Sequence, residues 1–200
     1  MKLPALITGL LAVSIALVSP GASAAHDKSG EKYDGTVDTI RWMESSVDLS
    51  TVRFRDQYGK QIALSAFGDK IVLLNLWAGG CVPCIREMPL LDRLQRRLGG
   101  EQFVVVAVSL DDNPEMASQV LNQLSIDSLP AYYESPEVMG RHFPVDILPA
   151  SFFLDRNMRA IGLVRNSVNW DDEKVDKLIA RLVDGVTPAT LRAEQAQRQQ

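Results

Sequence analysis

Residues 71–89 read IVLLNLWAGGCVPCIREMP. Ile71 to Trp77 is apolar and β-rich apart from Asn75, the pattern of a strand covered on both faces of a parallel or mixed sheet. Gly79 and Gly80 open a turn, and Cys81-Val82-Pro83-Cys84 leads into a stretch whose apolar positions Leu90, Leu91, Leu94 and Leu98 fall on one helical face. Asp92, Arg93, Gln95, Arg96 and Arg97 occupy the other, where a solvated face is expected, and Gly99-Gly100 supplies a stop. Pro89 has no amide hydrogen and is expected to kink this helix about one turn beyond Cys84. Phe103 to Ser109 reads as a second buried strand, so strand, helix and strand make a βαβ unit with both cysteines at its first strand-to-helix turn.

Working outward, Thr51–Arg55 and Gln61–Leu64 alternate around the turn residues Asp56–Lys60, which predicts a β-hairpin. Asn113-Pro114 is a cap followed by a first-turn proline, and Asp111 and Asp112 are expected to belong to the same cap. A short strand near Leu129–Tyr133, a helical turn over Pro136–Arg141, a second hairpin from Ile147–Leu154 and Met158–Val164, and a helix over Asp171–Val183 follow. The order is hairpin, βαβ with an inserted α/β segment, then ββα: an α/β fold with a central mixed sheet flanked by helices. Four regions result: a leader over 1–24, a polar segment over 25–50 that is either a linker or a strand joining the sheet late, the folded domain over 51–185, and a Gln-rich tail over 186–200 that is expected to fray.

The leader rests on a single charge, Lys2, an uncharged run from Leu6 to Val18, the breakers Pro20-Gly21 and the small-residue site Ala22-Ser23-Ala24. The run is short of the roughly 18 residues that span a bilayer, which favours a cleaved secretory signal and a periplasmic or otherwise extracytoplasmic protein over the alternative, an uncleaved membrane anchor. With 46% hydrophobic and 23% charged residues among 200, the chain is neither disordered nor a multi-span membrane protein. Its net charge of −4 leaves no basic footprint for nucleic acid, and Arg93, Arg96 and Arg97 are too few to make one. Nothing in the sequence specifies an oligomeric state.

The chain has two cysteines, and a disulfide between Cys81 and Cys84 would close so small a ring that chain entropy gives about 2 kcal/mol, a poor staple. At a helix start in an oxidising compartment the pair suits exchange chemistry, with Cys81 attacking, Cys84 resolving and Pro83 stiffening the turn between them. A structural clip and a metal site are the alternatives. Metal is disfavoured because the only histidines, His26 and His142, lie far apart in sequence, and no metal or other cofactor is expected. No GxSxG or glycine-rich phosphate loop is present.

The stretch Leu74–Pro89, the strand Val106-Ala-Val-Ser-Leu-Asp-Asp112 and the segment Leu148-Pro-Ala-Ser-Phe-Phe-Leu-Asp155, in this order, resemble the thioredoxin superfamily and more closely its TlpA/ResA-like extracytoplasmic branch. The resemblance implies a thioredoxin-like fold and a thiol-disulfide oxidoreductase that reduces client proteins, including those of cytochrome c maturation, and draws electrons from a membrane-bound donor. It also implies a cis Leu148-Pro149 peptide facing the cysteines, with Leu148 offering backbone groups to substrate, and an acid at Glu87. Glu87 has independent support, since i,i+3 spacing places it on the helix face of Cys84; a solvated helix residue is the alternative. Asn75 stands where thioredoxin carries a buried acid and needs hydrogen-bond partners, and Trp77 is expected to pack beneath the cysteines. Gly79-Gly80 replaces a polar-plus-aromatic pair, and Ala150-Ser151 replaces paired threonines. Rival readings are a DsbA-like oxidant and a non-catalytic binding module; a peroxidase is disfavoured because the PxxxTxxC pattern is missing.

Overall fold

The structure, a computed structural model, describes residues 37–199, so the expected leader and the first part of the 25–50 segment lie outside the described residues. One mixed sheet is built from β1 (Arg41–Asp48), β2 (Arg53–Arg55), β3 (Gln61–Ala63), β4 (Ile71–Trp77), β5 (Phe103–Ser109), β6 (Tyr132–Tyr133), β7 (Ala150–Leu154) and β8 (Arg159–Arg165). Its spatial order is β1-β8-β7-β4-β5-β6-β2-β3. The helices are α1 (Val82–Leu98), α2 (Pro114–Gln123), α3 (Pro136–Met139), α4 (Glu173–Val183) and α5 (Pro188–Arg198). Both predicted hairpins, β2–β3 and β7–β8, and the parallel β4–β5 pair are present.

β4 is central because it has no polar face to expose. Leu73 and Trp77 pack on one side with Cys84, Met88, Leu91, Trp170 and Ile179, while Val72, Leu74 and Leu76 pack on the other with Met139, Phe143 and Phe152. The two cores require apolar residues at consecutive positions, hence the unbroken run. Asn75 shares the parity of Leu73 and Trp77 and meets α1 through Glu87. α1 is a single element with Pro89 inside it.

Two outer elements extend the packed fold beyond residues 51–185: the strand reading of the 25–50 segment holds, and the tail departs from its expected fraying. The sheet begins before residue 51, because β1 pairs antiparallel with β8 at one edge; its alternation is obscured by a register shift between Trp42 and Val47, a bulge that breaks the two-residue period. The Trp42 ring lies against Gly162, where a β-carbon would stand 2.9 Å from ring atoms, so this neighbour must be glycine. Within the tail, Pro188–Arg198 form a packed helix. Thr187 accepts the Thr190 amide, Pro188 begins α5, Leu191 is buried, and Arg192 and Gln195 donate to the carbonyls of Met43 and Ile40 at 2.9 and 3.2 Å. One apolar anchor and polar fastening to β1 hold a helix that composition alone reads as solvated. Leu191→Ala is therefore expected to destabilise the protein by about 2–3 kcal/mol, read as a lower urea midpoint; an unchanged midpoint would show that α5 adds nothing to global stability.

Candidate active site

β4 delivers the chain into the turn before α1. There the Cys81 amide donates to the Ala78 carbonyl at 3.1 Å, and Cys81 caps the helix, its Sγ accepting the Cys84 amide at 3.2 Å. A sulfur at this position meets the positive end of the helix dipole and an unpaired first-turn amide, which favours a thiolate when the pair is reduced. In the structure Cys81 and Cys84 are joined, S–S 2.13 Å with Cα atoms 5.2 Å apart. Cys84 is buried at 1% exposure, Cys81 is half-buried, and Val82 beside it is 67% exposed. Only the first sulfur can be approached from outside.

Glu87 is fully buried, which removes the solvated-residue alternative. Its Oε1 accepts the Val168 amide at 3.0 Å and a short bond from Trp170 Nε1, while Oε2 accepts from Asn75 Nδ2 at 3.4 Å. Asn75 Nδ2 also donates to Ser151 Oγ at 2.9 Å. Burial lifts the Glu87 carboxyl to about 7, against the opposing pull of the bonds from Val168, Trp170 and Asn75. Among the described residues, Asn75 Oδ1 and Trp77 Nε1 are buried without a partner, on the same face of β4. Val168 and Trp170 were not anticipated as members of this network, since they lie far along the chain; the available signal was a lone tryptophan in the polar stretch Asn169–Asp172, a natural buried anchor.

Two arginines of α1, Arg93 and Arg97, fasten that stretch instead of facing only solvent. Arg93 pairs with Asp171 at 2.7 Å, Arg97 reaches Asp176 and donates to the Trp170 carbonyl at 3.0 Å, and Arg96 bridges Asp92 and Asp127. Each exposed pair contributes little by itself, and those of Arg93 and Arg97 hold the Trp170 segment against the helix that bears Glu87.

Asp111 also departs from its expected place. Asn113 alone provides the α2 cap, accepting the Glu115 amide at 2.9 Å, whereas Asp111 Oδ2 accepts the Gly79 amide at 2.8 Å and Ser109 Oγ–H at 2.6 Å. Gly79 is closely packed: a β-carbon there would stand 2.8 Å from Met116 Cγ and force that side chain to shift, while the Gly80 position is open.

The Leu148-Pro149 peptide is cis. Leu76 pairs with Ala150 and Asn75 with Ser151, so Pro149 lies beside the end of β4 that feeds the Cys81 turn. The Pro149 carbonyl accepts the Asn166 amide at 3.0 Å, but among the described residues the Leu148 amide and carbonyl make no hydrogen bond. His142 is exposed. Among the described residues no cluster of three or more His, Cys, Asp or Glu side chains could hold a metal, and no helix is long and apolar enough to cross a membrane.

Residues 46–161 match the AhpC/TSA family model. A thiol-disulfide oxidoreductase ResA of Bacillus cereus is 26% identical over 133 residues, 66% of this chain and 76% of that protein. Among solved structures, a DsbF homologue from Corynebacterium diphtheriae superposes with a TM-score of 0.60 at 22% identity, over 78% of this chain and 96% of that one. A thiol:disulfide interchange protein DsbE from Chlorobium tepidum, described as putative, gives 0.57 at 24% identity, over 70% and 98%. These structures share the mixed sheet with flanking helices described above, and the chain belongs to the AhpC/TSA family as a thiol-disulfide oxidoreductase with a thioredoxin-like fold.

Proposed function

We propose that the protein is an extracytoplasmic reductase of client-protein disulfides, working through Cys81 and Cys84. The observation that carries this reading is the pairing of an approachable sulfur at the cap of α1 with a buried carboxyl, Glu87, one turn beyond the resolving cysteine and close to half-protonated at neutral pH. In the reduced enzyme the Cys81 thiolate attacks one sulfur of a client disulfide; the new S–S bond joins enzyme and client, and the client's second sulfur leaves as a thiolate that takes a proton from water. Glu87 carboxylate accepts the Cys84 proton, and the Cys84 sulfur attacks Cys81 Sγ. The bond between Cys81 and the client breaks, the departing client sulfur takes a proton from water, and Glu87 returns its own to solvent, so the client is released as a dithiol and the enzyme as the disulfide, two electrons having passed to the client. Leu148, with free backbone groups beside the cis proline, docks an extended client segment, and Asn75 and Trp77 support Glu87 and Cys84 from below.

The leader over 1–24 places this chemistry outside the cytoplasm, where a membrane-bound donor returns the electrons, and cytochrome c maturation supplies clients whose cysteines must be kept reduced. Cys84→Ala tests the exchange: it is expected to accumulate mixed disulfides through Cys81, seen as reductant-sensitive bands on non-reducing gels. A binding module would retain a partner without a covalent band. The direction is tested by the reduction potential of the pair: a value near or below about −270 mV supports a reductase, and one near −120 mV marks an oxidant.

A further inference from the structure

We infer that Asp111 is a positioning residue that holds the turn before Cys81 and, through its charge, biases the cysteine pair toward the reducing end. The inference rests on the exchange chemistry proposed above. Beyond the last β4–β5 backbone bond, Leu110 N–H to the Trp77 carbonyl at 2.8 Å, the strands diverge, and the Asp111 carboxylate continues the pairing by accepting the Gly79 amide. Ser109 locks that carboxylate from behind, donating Oγ–H to Oδ2 and accepting the Asp111 amide at 3.2 Å. Met116 packs beside the same carboxylate: a β-carbon on Gly79 would stand 2.8 Å from Met116 Cγ and 3.3 Å from Asp111 Oδ2, and the Met116 side chain would have to move. The turn is thus held by a carboxylate, with a helix side chain packed beside it, two residues before the attacking sulfur.

Two residues of chain span at most about 7 Å, so the carboxylate lies within roughly 10 Å of the Cys81 backbone. At that separation a unit negative charge disfavours a nearby thiolate by about twofold to tenfold, depending on how well solvent screens it. The oxidised pair carries no charge and is unaffected. Asp111 therefore destabilises only the reduced, ionised state, which lowers the potential and makes the dithiol a better electron donor.

Both bonds converge on one oxygen, Oδ2, so the single carbonyl oxygen of asparagine can accept both. Asp111→Asn consequently removes the charge and keeps the clamp, whereas Ser109→Ala weakens the clamp and keeps the charge. The test is redox equilibration with glutathione at about pH 8.5, where an ordinary thiol is half ionised. Two glutathione molecules supply the two electrons and two protons and leave as their disulfide. Asp111→Asn is expected to raise the equilibrium constant for reduction of the enzyme about twofold to tenfold, about 9 to 30 mV toward oxidising, while Ser109→Ala changes it less than about 1.5-fold. Raising KCl to about 1 M should move the wild type in the same direction as Asp111→Asn, because screening removes the same interaction; this arm needs no variant to fold. A wild-type constant insensitive to salt, or an Asp111→Asn constant within about 1.5-fold of wild type, overturns the inference and leaves the exchange reading intact. A disulfide that glutathione and dithiothreitol do not reduce in the folded wild type overturns both.

Discussion

Replacement of Cys81 by serine is expected to lower disulfide reduction by on the order of a thousandfold or more, because the step that starts exchange loses its nucleophile. A hydroxyl is not ionised at neutral pH, and the favourable electrostatics of the α1 cap cannot supply the sulfur that must enter the mixed disulfide. Stability of the oxidised fold should fall by no more than about 2 kcal/mol, since the ring closed by the native disulfide is small and Cys81 is only half-buried. The assay is reduction of a peptide disulfide with dithiothreitol as electron source, run beside Cys84→Ala. Cys81→Ser should form no mixed disulfide and Cys84→Ala should accumulate one. If instead the Cys84 sulfur becomes cross-linked to client in Cys81→Ser, the assigned order of attack is reversed. The burial of Cys84 argues against that outcome, because a client sulfur cannot reach it while α1 is packed.

The second large effect concerns Glu87. Its carboxyl is raised from 4.5 to about 7 by burial, so between these values the folded protein holds a proton that the unfolded chain has released. Unfolding in this window releases a proton, and stability falls as pH rises. The contribution is fully present below about pH 4.5, declines through the window and is lost above about pH 7, a total on the order of 3 kcal/mol. Glu87→Gln removes the titration. The glutamine oxygen can still accept from Val168 and Trp170, and its amide can donate to Asn75 Oδ1 if that side chain turns over, with Ser151 Oγ–H then donating to the same oxygen. Urea unfolding at pH 5 and pH 8 should therefore show the variant gaining on the wild type by about 2–3 kcal/mol between the two. The same substitution should remove the pH dependence of the resolving step near neutrality while leaving attack by Cys81 in place. Parallel stability curves for wild type and variant would mean that Glu87 stays charged in the fold, and the proton-acceptor role would fall with that result.

The legible part of this protein is local. A strand without a polar face, a cysteine pair at a helix start, leucines spaced along one helix face and two hairpins are all written within short windows, where periodicity and turn chemistry act, and they define the α/β order and the position of Cys81 and Cys84. The cis Leu148-Pro149 bond was implied by resemblance alone, since a proline at the start of a strand is compatible with either isomer. What tertiary structure decided is how polar groups are satisfied. Asp111 reads locally as part of a helix cap, yet its carboxylate serves Gly79, 32 positions earlier. Glu87 is compatible with a solvated helix face until Val168 and Trp170, more than 80 positions later, cover it and donate to it. β1 and α5 carry too little apolar periodicity to announce themselves and exist as packed elements because Trp42, Leu191 and a few side-chain-to-carbonyl bonds join them. Backbone pattern is set by neighbours in sequence, whereas the environment of a carboxylate is set by whichever distant donors the fold brings to it.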